Sequence, residues 1–131
     1  MMEQARGDLE QQEAGSAAVR AALERWRVAR RWRRQANAEL ASAGLTLTQW
    51  LVLEATRTLI RETGDAVSQK EVAVRVELDP MTVCQVMLVL DAKGLVNRGP
   101  RCEWPAYRIL VTSRGKALIA RGWERLGAVS R

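Results

Sequence analysis

The chain has 131 residues, with 21 Lys and Arg against 15 Asp and Glu, and a formal charge of +6. That length suits one domain with a proper core and no staples, and the basic balance fits a polyanionic partner. The lack of histidine removes histidine-built zinc sites and Ser–His or Cys–His catalytic pairs, and no glycine-rich loop cradles phosphate. An enzyme is therefore the class with the least in its favour, and no cofactor is expected. Two cysteines without a secretory signal, and no apolar run of bilayer length, predict a cytoplasmic protein with no membrane partner.

In chain order, residues 1–16 hold Glu3, Asp8, Glu10 and Glu13 against Arg6 and show no apolar periodicity, so a flexible lead-in is expected there. Residues 17–131 then read as a single domain. Its first helix covers about 17–42, with an apolar face of Ala18, Ala22, Leu23, Trp26, Ala29, Trp32, Ala36 and Leu40. Between 20 and 37 stand seven arginines, Arg20, Arg25, Arg27, Arg30, Arg31, Arg33 and Arg34, against the one acid Glu24. That run could face phosphates or a membrane surface. It could equally be a solvated face beside a dimer interface, where arginine stems cover apolar area, and this second reading has more support. A second helix over 48–62 carries Trp50, Leu51, Leu53, Leu59 and Ile60; Trp50 fits a core position better than a pocket wall.

The stretch 68–112 is the most informative. Ser68-Gln69-Lys70-Glu71 matches a capping box. Val72, Val74 and Val76 alternate as a strand would, but the cap before them and Asp79-Pro80 after them favour a short helix. Asp79-Pro80 also starts the next helix, with aspartate at N-cap and proline at N1. That helix runs to Lys93, and Gly94 ends it. Leu95-Val96 opens a strand, Gly99-Pro100 turns the chain, and 107–111 returns it. Thr112 caps a last helix through about 126, whose Gly115 and Gly122 permit close helix approach and suit a dimer seam. A helix-turn-helix followed by a β-hairpin is a winged helix, which offers one helix to the major groove of DNA and the wing to the backbone or minor groove. The fold class expected is α+β, mostly helical.

On the second helix of the motif, Val83, Val86, Met87 and Leu90 read as buried, which puts Met81, Gln85, Leu88 and Ala92 on the opposite face, flanked by Thr82, Cys84 and Val89. Gln85 can pair with adenine, while Met81, Cys84 and the Thr82 methyl can touch thymine methyls. The alternative is that Met81, Leu88 and Val89 form an apolar patch that docks on a protein partner. The basic cluster Arg98, Arg101 and Arg108 in the wing favours DNA. In that reading Ser68, Gln69 and Lys70 hold phosphates, Met81, Thr82, Cys84 and Gln85 face base edges, and Arg101 and Arg108 grip the backbone or minor groove. Cys102 beside Arg101 and Cys84 among apolar residues leave a redox role open, but ordinary cysteines are the stronger reading.

The run 45–118 resembles the MarR family of bacterial transcription regulators. The resemblance rests on Leu45-Thr46-Leu47-Thr48-Gln49-Trp50, on Thr82-Val83, on Leu90-Asp91-Ala92-Lys93-Gly94-Leu95-Val96-Asn97-Arg98, and on Val111-Thr112-Ser113-Arg114-Gly115. It implies a winged helix-turn-helix at about 45–112, flanked by N- and C-terminal dimerisation helices at about 17–43 and 112–128. It also implies a homodimer that binds double-stranded DNA at a pseudo-palindromic site, acts as a repressor, and is released by a small-molecule effector or an oxidant. The expected dimer contacts are Leu23, Trp26, Leu118, Trp123 and Leu126. Two features depart from the family pattern. Its wing carries Asp-x-Arg where Glu103-Trp104-Pro105 stands here. Its further long helix would lie beyond Arg131, so dimerisation is expected to rest on fewer elements.

Overall fold

The computed structural model describes residues 1–99 and 108–131. Five helices and a two-stranded sheet follow in the order α1 Met2–Ala41, α2 Leu47–Thr63, α3 Gln69–Val76, α4 Pro80–Ala92, β1 Val96–Arg98, β2 Ile109–Val111 and α5 Ser113–Val129. They fall into two compact units, 1–35 and 36–131. The expected flexible lead-in over 1–16 is helical as well. Glu3, Gln4, Ala5, Leu9, Glu10, Gln11, Gln12, Glu13 and Ala14 are strong helix formers, and propensity extends the helix where periodicity gave no signal. In unit 1, Leu9, Val19, Leu23, Trp26 and Val28 are exposed. Glu24 pairs with Arg27 at 3.4 Å and Arg31 at 3.7 Å, and the Arg30 guanidinium stacks 4.8 Å above the Trp26 ring.

In the second unit each helix is bounded by the chemistry its sequence supplies. Thr46 and Gln49 form a capping box for α2, and Gly64 closes that helix at φ 74°. Ser68 and Glu71 do the same for α3, so the valine alternation at 72–76 yields to the cap. The Asp79 carboxylate accepts from the amides of Met81 and Thr82, with Pro80 in the first turn of α4. Asn37 Oδ1, near the end of α1, accepts from the Leu47 amide at 2.7 Å, which ties that end to the start of α2.

The sheet is antiparallel with Val96 opposite Val111, Asn97 opposite Leu110 and Arg98 opposite Ile109. An isolated bridge joins Val67 to Ile109, through amide-to-carbonyl bonds of 3.2 and 2.7 Å, so the segment before α3 borders β2 at one residue. Val52, Leu53, Val67, Val72, Val83, Met87, Leu90, Leu95, Val96 and Ile109 form the core among α2, α3, α4 and the sheet. The buried Thr56 hydroxyl donates to the Val52 carbonyl at 2.7 Å, so this polar group is satisfied within its own helix.

Helix α5 packs on α2. The Trp50 indole is buried, meets Trp123 edge-on at 5.2 Å, and donates from Nε1 to the Ile119 carbonyl at 3.3 Å. A Cβ on Gly122 would run into Trp50 Nε1, and one on Gly115 would meet the Leu95 carbonyl oxygen and, at 2.8 Å, Val111 Cγ1. Both glycines thus serve close packing inside the unit, where the sequence suggested a dimer seam.

Gly122→Ala should cost about 1–3 kcal/mol through overpacking against Trp50, read by denaturant unfolding; an unchanged midpoint would contradict the packing described. Glu77 closes α3 at φ 54°, a left-handed conformation that disfavours a side chain by about 1 kcal/mol. Glu77→Gly should therefore raise stability in the same assay. Arg75 forks onto Glu62 with bonds of 3.0 and 2.9 Å, and this charge-assisted hydrogen bond holds the Glu62 carboxyl below its usual range. A lowered native pKa stabilises the fold above the unfolded carboxylate value and loses that effect as pH falls through the native one. Glu62→Gln should thus unfold more easily than the parent at neutral pH and converge with it in acid.

Candidate nucleic-acid interface

Helix α4 turns Val83, Met87 and Leu90 into the core and leaves Met81, Gln85, Leu88, Val89 and Ala92 exposed, with Thr82, Cys84 and Val86 half-buried. Met81 is the most open of the large apolar residues on this helix, at 65%. The face is that expected from the helical period. One long amide side chain, Gln85, stands among apolar and small neighbours.

Both helix N-termini in the motif are already occupied by carboxylates. Ser68 Oγ accepts from the Glu71 amide at 3.2 Å, and Glu71 Oε1 accepts in return from the Ser68 amide at 3.2 Å and its hydroxyl at 3.1 Å. Asp79 Oδ2 lies 3.2 Å from the Met81 amide and 3.4 Å from the Thr82 amide. A helix N-terminus attracts anions through those same amides and its dipole, so these internal acids compete with any phosphate. Of the three residues expected to hold phosphates, Ser68 is engaged in its cap. Gln69 is half-buried with its Oε1 enclosed and without a hydrogen-bond partner, and Lys70 is exposed. Lys70 is the one of the three with a cation to present.

The wing base holds two arginines by different means. Arg98 Nε lies 3.2 Å from Asp91 Oδ2, with most of its side chain covered, which pins β1 to the end of α4. Arg108 is exposed and reaches back to Asp65 Oδ2 at 3.4 Å and the Ala66 carbonyl at 3.0 Å. Asp65 and Ala66 escaped the sequence reading, since nothing in a Gly-Asp-Ala turn identifies a partner 43 residues away. Arg101, Cys102 and the Glu103-Trp104-Pro105 segment lie outside the described residues. Cys84 is a free, half-buried thiol among the described residues.

The expected dimer contacts divide. Leu23 and Trp26 are exposed, as is Trp123 at 59%. Leu118 is half-buried. Leu126, at 5%, is part of the unit's own core, so a charge placed there would test folding before it tested association. Between α2 and α5 lies an open cleft of about 210 Å³ with Arg57, Arg61 and Lys116 on its rim and Ile119 and Trp123 in its wall. The pocket-lining role weighed for Trp50 thus falls to its neighbour Trp123. Arginines one turn apart on α2 were the available sequence signal for this cleft. Among the described residues no cluster could hold a metal ion and no helix is long and apolar enough to cross a membrane.

No family model matches the chain. It is 30% identical over 73 residues to the uncharacterized HTH-type transcriptional regulator YdcH of Bacillus subtilis, a match covering 56% of this chain; it spans about half of that relative, 49%. The structure is similar to CouR from Rhodococcus jostii RHA1 bound to p-coumaroyl-CoA, with 26% identity, a TM-score of 0.70, and coverage of 84% of this chain and 74% of that one. It is also similar to a MarR family protein of Mycobacterium tuberculosis in complex with DNA, with 24% identity, a TM-score of 0.65, and coverage of 83% and 78%. The capped helix pair, the wing returning onto Val67 and the glycine-packed last helix are those of a winged helix-turn-helix, the fold that the chain shares with these solved structures.

Proposed function

We propose that the chain is a sequence-specific double-stranded-DNA-binding transcription regulator that acts as a homodimer on a pseudo-palindromic site in the cytoplasm, in the manner of a repressor rather than an enzyme. The observation that carries this reading is the outer face of α4, where Gln85 projects beside Met81, Thr82 and Cys84 at the position from which a winged helix reads the major groove. The DNA complex of the M. tuberculosis relative supports it. Because carboxylates already cap α3 and α4, phosphate contacts fall to side-chain cations, with Lys70 and Arg108 the described candidates and Arg101 the expected one in the wing. Arg57, Arg61 and Lys116 around the Trp123 wall outnumber the one acid that lines the cleft, Glu54, and suit a small aromatic anion as effector; the p-coumaroyl-CoA complex of CouR is consistent with such a ligand class.

A binding selection from a genomic library tests the whole reading. On the selected site, Gln85→Ala should cost about 1–3 kcal/mol and relax preference at one base pair per half-site. Lys70→Ala should weaken all sequences alike and flatten the log–log salt dependence by roughly 0.9. Failure to retain any duplex at low salt would overturn the proposal and turn the apolar face of α4 toward a protein partner.

A further inference from the structure

The positive charge of the chain is concentrated away from the helices that read as binding DNA. Residues 69–92, which span α3 and α4, hold Lys70 and Arg75 against Glu71, Glu77, Asp79 and Asp91, a formal charge of −2. Arg75 is moreover forked onto Glu62. Residues 17–41 of α1 hold seven arginines against Glu24 and Glu39, a formal +5 in a chain whose total is +6. All seven arginines are exposed. By the helical period, Arg20, Arg27, Arg31 and Arg34 fall within about 60° of one another around the helix and span about 21 Å along it. Glu24 stands 3.4 Å from Arg27 and 3.7 Å from Arg31, with all three side chains more than half exposed, where ion pairs contribute little. Arg20 and Arg34 pair with no acid among the described residues.

We infer that this arginine stripe is a second contact surface for duplex DNA, one that grips phosphates without regard to sequence. The inference rests on the DNA-binding reading and adds to it the source of the attraction. Neutralised phosphates supply much of a protein's affinity for DNA, and a helix pair of negative formal charge leaves that work to other elements. The phosphates of one strand follow at about 3.4 Å of duplex axis, so a stripe of about 21 Å runs beside roughly six of them. Guanidinium groups suit that partner, because their planar fork matches phosphate oxygens. A bilayer suits the stripe less well. A helix lying on a membrane carries large apolar residues opposite its charges, whereas the positions opposite this stripe are Ala18, Ala22 and Ala29. Trp26 stands on the flank, with its ring under Arg30.

The test uses the full chain with the selected site and a random duplex of equal length, across a range of salt, and follows each variant by circular dichroism and sedimentation. The combined change Arg20→Gln, Arg27→Gln, Arg31→Gln and Arg34→Gln keeps good helix formers in α1. It should raise the dissociation constant more than about tenfold on both duplexes and lower the log–log salt slope by about 3. The pair Arg20→Gln and Arg34→Gln breaks no ion pair and should by itself lower the slope by about 2. Arg20→Lys, Arg27→Lys, Arg31→Lys and Arg34→Lys together should keep most of it. A control of equal net charge, Arg25→Gln, Arg33→Gln, Arg121→Gln and Arg131→Gln, should change it by less than about 1. Equal losses from stripe and control would trace the effect to net charge and overturn the inference. A stripe variant with the parent's slope would overturn it too, and leave the DNA-binding reading standing. A slope lost together with a changed sedimentation coefficient would assign the arginines to assembly instead. Loss of binding to vesicles of anionic phospholipid, with the DNA slope intact, would assign them to a membrane surface. A parent that retains neither duplex at low salt would sink the DNA-binding reading and this inference with it.

Discussion

The carbonyl of Leu95 is the point on which the second unit turns. It accepts from the Thr112 amide at 3.1 Å, and the space beside it is kept open because position 115 has no side chain. Thr112 Oγ1 donates to the Gly94 carbonyl at 2.8 Å and accepts from the Gly115 amide at 3.1 Å. One threonine therefore starts α5 and clasps the residue that ends α4. The base of the wing lies between these two helices, and its direction follows from the clasp together with the Val67 bridge on its other side. The angle of α4 to the rest of the unit therefore depends on hydrogen bonds that join Gly94 and Leu95 to Thr112.

Electrostatics around the motif divides between internal and external work. Arg75 is spent on Glu62 and Arg98 on Asp91, so two cations of the motif hold elements together. Arg108 does part of each task. It faces solvent and is steered by Asp65 and Ala66, which restrains its side chain before any partner arrives. The carboxylates on the two helix caps keep the local field from being uniformly positive.

Much of this fold was legible in the sequence because its boundaries are written in short-range chemistry. Ser68, Asp79 and Thr112 act on amides two or three residues away and Gly94 supplies a left-handed turn, whereas Thr46 and Gly64, which bound α2 in the same ways, were not read as its ends. Of the inward set expected from the period, Val83, Met87 and Leu90 are buried and Val86, at the edge of that face, is half-buried. What escaped depends on distance along the chain. The Val67 bridge and the Asp65 partner of Arg108 join segments tens of residues apart, and no local pattern announces them. The glycines were noticed, but their partner was mistaken, since a missing side chain states that something comes close without saying what. The first helix was cut short because residues 1–16 carry helix propensity without an apolar period.

The contact of Trp50 with Gly122 has an evolutionary consequence. The indole occupies the volume where a Cβ would stand, so any residue with a side chain at 122 conflicts with the tryptophan at 50. The reverse change, a smaller residue at 50, leaves a hole and an unused carbonyl at Ile119 but breaks nothing by collision. Positions so coupled do not drift independently. A lineage can reach alanine or serine at 122 more readily after Trp50 has been lost, so the order of substitution is constrained. Descendants that keep the tryptophan inherit the glycine with it.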